Sequence, residues 1–239
     1  MTILIVGASG KTGKHMVEEL LQMKQHVKIL VRFSSKIPDS WNENNNVTVI
    51  RAEITKMTVN EIADIIKDCQ AIVSCLGHSL SIKGIWGKPH KLVTNVVELL
   101  CNAVEMNSSD NVMKFILMSS TGCRDKNLHE PISFWENITM KIIRLLAPPH
   151  SDNEKASEFL RLNVGQNNIK TQWVIIRPDT LIDENSVTDY EIYTSPTRSP
   201  LFNPGKTSRI NTGHFMAKLI VDNNLWEKWQ GKMPVIYNK

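Results

Sequence analysis

The run Gly7-Ala8-Ser9-Gly10-Lys11-Thr12-Gly13 puts three of the eleven glycines into one short turn. The chemistry such a turn serves is the cradling of a pyrophosphate. Gly7 suits a tight turn, Gly10 leaves the backbone open to phosphates, and Gly13 lets a helix pack closely on a strand. A helix beginning near Lys11 then aims free N–H groups at the same place, with Ser9, Lys11 and Thr12 in the expected binding surface. A glycine-rich turn without a ligand is the alternative reading. A P-loop fails on spacing, because the leading glycine of GxxxxGK[ST] would stand at Ile5, or at Pro200 for Gly205-Lys206-Thr207.

Further along, at the end of the next apolar run, a site for NAD would want Asp or Glu to meet the ribose 2′-hydroxyl. Here the sequence reads Leu30-Val31-Arg32. A guanidinium pairs with a 2′-phosphate where a carboxylate would repel it, so Arg32, with Ser34, Ser35 and Lys36, predicts NADP as cofactor. A solvated arginine at a strand end is the plainer alternative. Metal chemistry finds no support in the seven scattered histidines, and His129-Glu130 lacks the second histidine of HExxH.

These residues need a sheet to position them. With 239 residues, 41% of them hydrophobic and 22% charged, the chain can build one sizeable core, and it is treated as a single domain over residues 1–239. Short apolar runs alternate with helical periodicity, which predicts a doubly wound, mostly parallel α/β sheet. Strands are expected at Thr2–Val6, His26–Val31, Val47–Arg51, Ala71–Cys75, Lys114–Met118, Gln172–Ile176 and Pro234–Tyr237. Helices are expected from Lys11, at Val59–Ile66, Leu92–Val104, Phe134–Leu146, Glu154–Leu162 and Phe215–Val221. Residues 123–160 and 180–210 are the expected substrate-side segments, and within the second Ile182–Thr207, with Pro196, Pro200 and Pro204, is expected to be a long irregular loop.

A net charge of +4 without a basic tract argues against a nucleic-acid partner. Four dispersed cysteines, Cys69, Cys75, Cys101 and Cys123, fit a reducing compartment. No apolar run approaches the roughly 20 residues of a membrane span, and an apolar strand from Thr2 leaves no room for a signal peptide. A cytoplasmic protein acting on a small-molecule acceptor is the expectation; the oligomeric state is not legible.

Taken together, Val6–Gly13, Leu30-Val31-Arg32, Cys75-Leu76-Gly77, Met118-Ser119-Ser120-Thr121, Ile176-Arg177-Pro178, Ser208-Arg209-Ile210 and Gly213-His214-Phe215-Met216 resemble one family. It is the atypical short-chain dehydrogenase/reductase group with NAD(P)H-binding, NmrA-like domains, and within it the biliverdin-IXβ reductase/flavin reductase proteins. The resemblance implies a Rossmann-type fold. It also implies that Leu76 and Gly77 line the nicotinamide ribose, that Ser120 or Ser119 sits beside the nicotinamide, and that Pro178 belongs to the cofactor surface. The rule that ligands bind outside the carboxyl ends of the strands at a topological switch point leads to the same place.

The chain departs from the usual dehydrogenase pattern at the proton donor. None of Tyr190, Tyr193 and Tyr237 has Lys four residues later. In the segment Ser151-Asp152-Asn153-Glu154-Lys155, Lys155 is the candidate remnant lysine and Ser151 stands where tyrosine would be. Serine is a much weaker acid than a phenol, so ordinary alcohol–ketone exchange is not expected. His150 is read as a solvated histidine after Pro148-Pro149, and Trp86, Phe134, Trp135 and Phe202 as core aromatics rather than stacking platforms. Two functions follow: an NADPH-dependent reductase of a flat conjugated acceptor of flavin or quinone type, or a non-catalytic NADP(H) sensor of the NmrA kind.

Overall fold

The computed structural model describes residues 1–78, 91–107, 111–128, 130 and 133–239. The apolar run β1 (Thr2–Val6) has no polar face because it is covered on both sides, and it pairs in parallel with β2 (His26–Val31) and β4 (Ala71–Ser74). On the outer side of β2 lies β3 (Val47–Arg51). On the other side of β4 come β5 (Met113–Met118) and β6 (Thr171–Pro178), also parallel. The last strand, β10 (Val235–Asn238), joins β6 in parallel and carries the antiparallel edge strand β8 (Tyr190–Tyr193). The resulting order is β3-β2-β1-β4-β5-β6-β10-β8. It is a doubly wound Rossmann-type sheet that reverses direction between β1 and β4, so the crevice outside the carboxyl ends of those two strands is the ligand position.

Helices cover both faces. Helix α1 (Lys11–Gln22) buries Met16, Val17 and Leu20 against one face, where α7 (Arg209–Val221) packs beside it. The stop at Met23 is followed by Lys24 at φ 56°, which turns the chain into β2. The short α2 (Asp39–Asn42) adds the fully buried Trp41 to that core. The other face is covered by α3 (Val59–Ile66), started by a reciprocal capping box between Thr58 and Glu61, and by α4 (Leu92–Met106). Helices α5 (Phe134–Leu146) and α6 (Pro148–Phe159) follow β5; α6 packs on α4 and adds Ala156 to the same core, and α5 packs on α6.

Where sequence periodicity was weak, the structure differs in ways with physical causes. Helix α6 begins at Pro148 instead of Glu154, because prolines at the first helical positions lack only N–H groups that would be unsatisfied anyway. Residues 182–207 are not wholly irregular. They hold the edge strand β8, and a separate parallel pair of β7 (Thr180–Ile182) and β9 (Lys206–Ser208) frames them. A short α8 (Asn223–Trp229), capped by Asp222, follows α7 and seats Trp226 and Trp229 in the core. No helix among the described residues is long and apolar enough to cross a membrane.

Candidate functional site

At the carboxyl end of β1 the chain turns at Gly7, whose φ of +81° and whose approach to the Cys75 and Leu76 backbone both demand glycine. A Cβ at Gly13 would stand 2.2 Å from the Gly7 carbonyl oxygen, so this glycine is what lets α1 press against the turn. Gly10 differs from both. It is exposed, and a Cβ there would meet only the Gly7 carbonyl oxygen, at 3.2 Å. It is also the N-cap of α1 and supplies no capping side chain, so the first N–H groups of the helix face outward without an intrahelical acceptor. An uncapped helix start behind a bare backbone fits a pyrophosphate.

Thr12 is buried, whereas the exposed Lys11 ammonium is held 2.8 Å from Asp183, which also accepts from Arg209 at 2.7 Å. Asp183 therefore straps the residues after β7 across the starts of α1 and α7. Hydrogen bonds from Lys11, and then from Arg209, hold its carboxyl below the usual carboxylate range.

Next to this turn the Ser9 hydroxyl lies 3.3 Å from the Ser35 hydroxyl, which joins the glycine turn to the loop after β2. Arg32 is exposed, and its guanidinium has no hydrogen-bond or ion-pair partner among the described residues. Arg51, at the end of β3, donates to the carbonyls of Ser35 at 3.2 Å and Phe33 at 3.5 Å. This second guanidinium was not read from the sequence, since only the register of β3 beside β2 brings it there.

On the far side of the switch point, a Cβ added to the exposed Gly77 would meet nothing within 4 Å, so the chain beside Leu76 borders open space. Immediately after it, His78 Nε2 lies 2.8 Å from the Asp152 carboxylate. That carboxylate, fully buried, also accepts from the N–H groups of Val93 and Thr94 and from the Thr94 hydroxyl. Asp152 is thus a tertiary cap for α4. Charge at a helix N-terminus is favourable, and the same bonds pin α6 beside the end of β4.

The two serines at the end of β5 have different surroundings. Ser119 is buried, with its hydroxyl 3.2 Å from that of Ser157 on α6, so one of its bonds is spent inside the protein. Ser120 is half-buried, and a Cβ placed on Gly122 would lie 3.4 Å from its hydroxyl and 2.8 Å from the His150 ring. His150 is therefore no solvated loop residue. It sits in the first turn of α6, half-buried, with Nε2 3.5 Å from Glu154. Burial works to raise the Glu154 carboxyl, but the His150 ring beside it and the two hydrogen bonds from Arg144 outweigh it and bring the group down to about 2. The sequence hid His150 because the helix was expected to start after it.

Lys155 makes no hydrogen bond or ion pair with Ser119, Ser120 or any other described residue; its amine is exposed and lines, with Ser151, a cavity on the other side of the turn at Cys123. Pro178 is buried at the end of β6, where its carbonyl accepts from Thr121 N–H. The neighbouring Arg177 is fully buried and spends its donors on Glu130 and on the carbonyls of Met233, Cys123 and Thr194. Trp86 lies outside the described residues. Phe134, Trp135 and Phe202 are 71%, 69% and 60% exposed, so these three are surface aromatics and not core. All four cysteines are buried and free, with burial pushing their thiols up, so none is a ready thiolate. No metal-ligand cluster occurs among the described residues.

Comparison with known proteins places this geometry. A short-chain dehydrogenase/reductase of Veillonella parvula, solved in complex with NADP, superposes with a TM-score of 0.69 at 16% identity, covering 99% of this chain and 94% of that one. An anaerobilin reductase of Escherichia coli O157:H7 gives a TM-score of 0.68 at 15% identity, covering 100% and 97%. An uncharacterized chloroplastic protein of Arabidopsis thaliana is 30% identical over 121 residues, which are 49% of this chain and 40% of that one. The family model for NAD(P)H-binding matches residues 7–223, from the first glycine of the turn to the start of α8. The chain belongs to the NAD(P)H-binding family.

Proposed function

We propose that the protein is an NADPH-dependent reductase of a flat conjugated acceptor of flavin or quinone type. The observation that carries this reading is the state of the three tyrosines. The Tyr190 hydroxyl is 2.8 Å from His214 Nδ1, the Tyr193 hydroxyl donates to Glu191, and the Tyr237 ring packs against Gly205. Burial pushes Tyr190 up to about 12, and Tyr193 and Tyr237 are also raised, the first chiefly by its bond to Glu191 and the second by burial. None is a phenol activated to protonate an alkoxide.

When bound, the nicotinamide supplies a hydride. The chain's own residues then have three tasks. The glycine turn and the start of α1 hold the pyrophosphate, Arg32 meets the 2′-phosphate, and Ser120 with His150 orients the acceptor by hydrogen bonding at the end of β5. A flavin or quinone accepting hydride gives a delocalised anion that solvent can protonate, so no strong protein acid is needed.

NADPH should bind more tightly than NADH. Arg32→Ala removes a charge-assisted contact worth about 1.5–3 kcal/mol, so the preference should fall by about 10- to 100-fold. Titration of both cofactors into wild type and variant checks it; an unchanged NADPH/NADH ratio would remove Arg32 from the site.

The reductase reading is tested by NADPH oxidation with a flavin, a quinone, a dicarbonyl and an unconjugated ketone as acceptors. The conjugated acceptors should react and the simple ketone should not. Ser120→Ala should slow turnover by about 2- to 10-fold, the scale of one neutral hydrogen bond. Efficient reduction of the simple ketone would overturn the argument. Tight NADPH binding with no turnover on any acceptor would favour the sensor, whose specific support is the exposed Phe134, Trp135 and Ile142 on α5, a surface of the kind that docks partners.

A further inference from the structure

The turn at Cys123–Lys126 separates two cavities, and Arg124 lines both. One, about 210 Å³, is bordered by Gly122, Met140, Pro196 and Pro200 and lies beside the end of β5. The other, about 270 Å³, lies between this turn, α5 and α6, and its charge is unbalanced. Arg124, Lys126, Arg144, Lys155 and Arg161 face it against only two carboxylates, Glu154 and Glu158.

Both carboxylates are already used. Arg144 grips Glu154 through two bonds of 2.7 Å. Lys126 donates to Glu158 at 2.6 Å, and Arg161 lies 3.6 Å from the same group while donating to Asn127 at 2.7 Å. That leaves Arg124, half-buried, and Lys155, exposed, with no hydrogen-bond or ion-pair partner among the described residues. A guanidinium drawn partly out of water without a counter-charge is unfavourable unless something external supplies one. A planar fork and a mobile ammonium, with the Ser151 hydroxyl on the same wall, are the donors that phosphate and carboxylate groups take.

We propose that this cavity is an oxyanion site, holding a phosphate or carboxylate group between the Arg124 guanidinium and the Lys155 amine. Its position within one residue of His150, through Ser151, permits two sources: an acidic tail of the acceptor, which rests on the reductase reading, or a free ion. Lys155 then serves anion binding and not proton transfer.

Inorganic pyrophosphate titrated calorimetrically into protein saturated with NADPH, so that the glycine turn is filled, tests the site directly. Saturable binding of one ion is expected, weakened at least about 10-fold in Arg124→Ala/Lys155→Ala and unchanged in Lys239→Ala, which removes a charge elsewhere. Neither residue has a hydrogen-bond or ion-pair partner to lose among the described residues, so the variants should fold, and their melting curves check it. No binding to wild type, or undiminished binding to the folded double variant, would overturn the site.

Comparing riboflavin with its 5′-phosphate as acceptors separates the sources. An acceptor tail in the cavity predicts that Arg124→Ala raises KM for the phosphate ester alone and that pyrophosphate competes with it. A free-ion site predicts equal effects on both flavins and no competition. If no acceptor is reduced, the reductase reading fails while the pyrophosphate titration still decides the cavity.

Discussion

A Gly10→Val protein is expected to fold normally and to lose affinity for NADPH and NADH alike by at least about 100-fold, a loss of about 2.7 kcal/mol. The three glycines of the turn are not equivalent, and this variant exploits the difference. At Gly7 any side chain meets a φ of +81° and backbone atoms 2.6 Å away, and at Gly13 it meets a carbonyl oxygen at 2.2 Å, so substitution there attacks the fold itself. Gly10 has φ −73° and ψ 162°, an extended conformation that valine adopts readily, and its side chain would enter exposed space in front of the α1 N-terminus. Valine is a poorer N-cap than glycine, which costs under about 1 kcal/mol. What it does block is the path of the pyrophosphate to the helix start. Calorimetric titration of both cofactors, with a thermal melt to show an intact fold, checks the result; retained affinity in a folded variant would mean that phosphates do not bind here.

The same turn shows why part of the site was legible in the sequence. Gly7, Gly10 and Gly13 act through backbone conformation and close approach, which are local, and the strand and helix on either side announce themselves by period. Arg32 follows from counting to the end of the next strand. The residues that were missed act through contacts distant in sequence. Asp152 reaches Val93 and Thr94 across 59 and 58 positions, and Arg51 reaches Ser35 across sixteen. His150 was obscured by Pro148-Pro149, which look like a break and are instead the first residues of α6. The strands β7, β8 and β9 span three or four residues each, too few to show alternation. The exposure of Phe134 and Trp135 ran against their hydrophobicity, since α5 packs on α6 and its outer side meets no core.

Arg177→Ala should destabilise the protein by about 3–5 kcal/mol, a large share of the roughly 5–15 kcal/mol that holds a domain of this kind together. At 0% exposure the guanidinium sits bidentately on Glu130, at 2.7 and 3.0 Å, and donates to three carbonyls from Met233, Cys123 and Thr194. Glu130 in turn accepts from the Asp125 N–H. Truncation leaves three carbonyls with no donor and a buried carboxylate with no counter-charge and only the Asp125 N–H, and the cost comes from those orphans more than from the lost attraction. Arg177→Lys should recover little, because one ammonium cannot span donors fixed in a planar fork. The double variant Arg177→Met/Glu130→Leu should instead regain part of the loss, since it removes the buried charge together with its partner. Urea unfolding of the three variants orders them. A cost below about 1 kcal/mol for Arg177→Ala would show that water reaches the pocket and that the pair is not dry. The functional consequence follows from what Arg177 ties together. It binds the segment 123–130, which carries Arg124 between the two cavities, to the end of β6 and to the chain after β8. Loosening that node should therefore raise KM for the acceptor in any variant that still folds, while leaving the glycine turn and NADPH affinity intact.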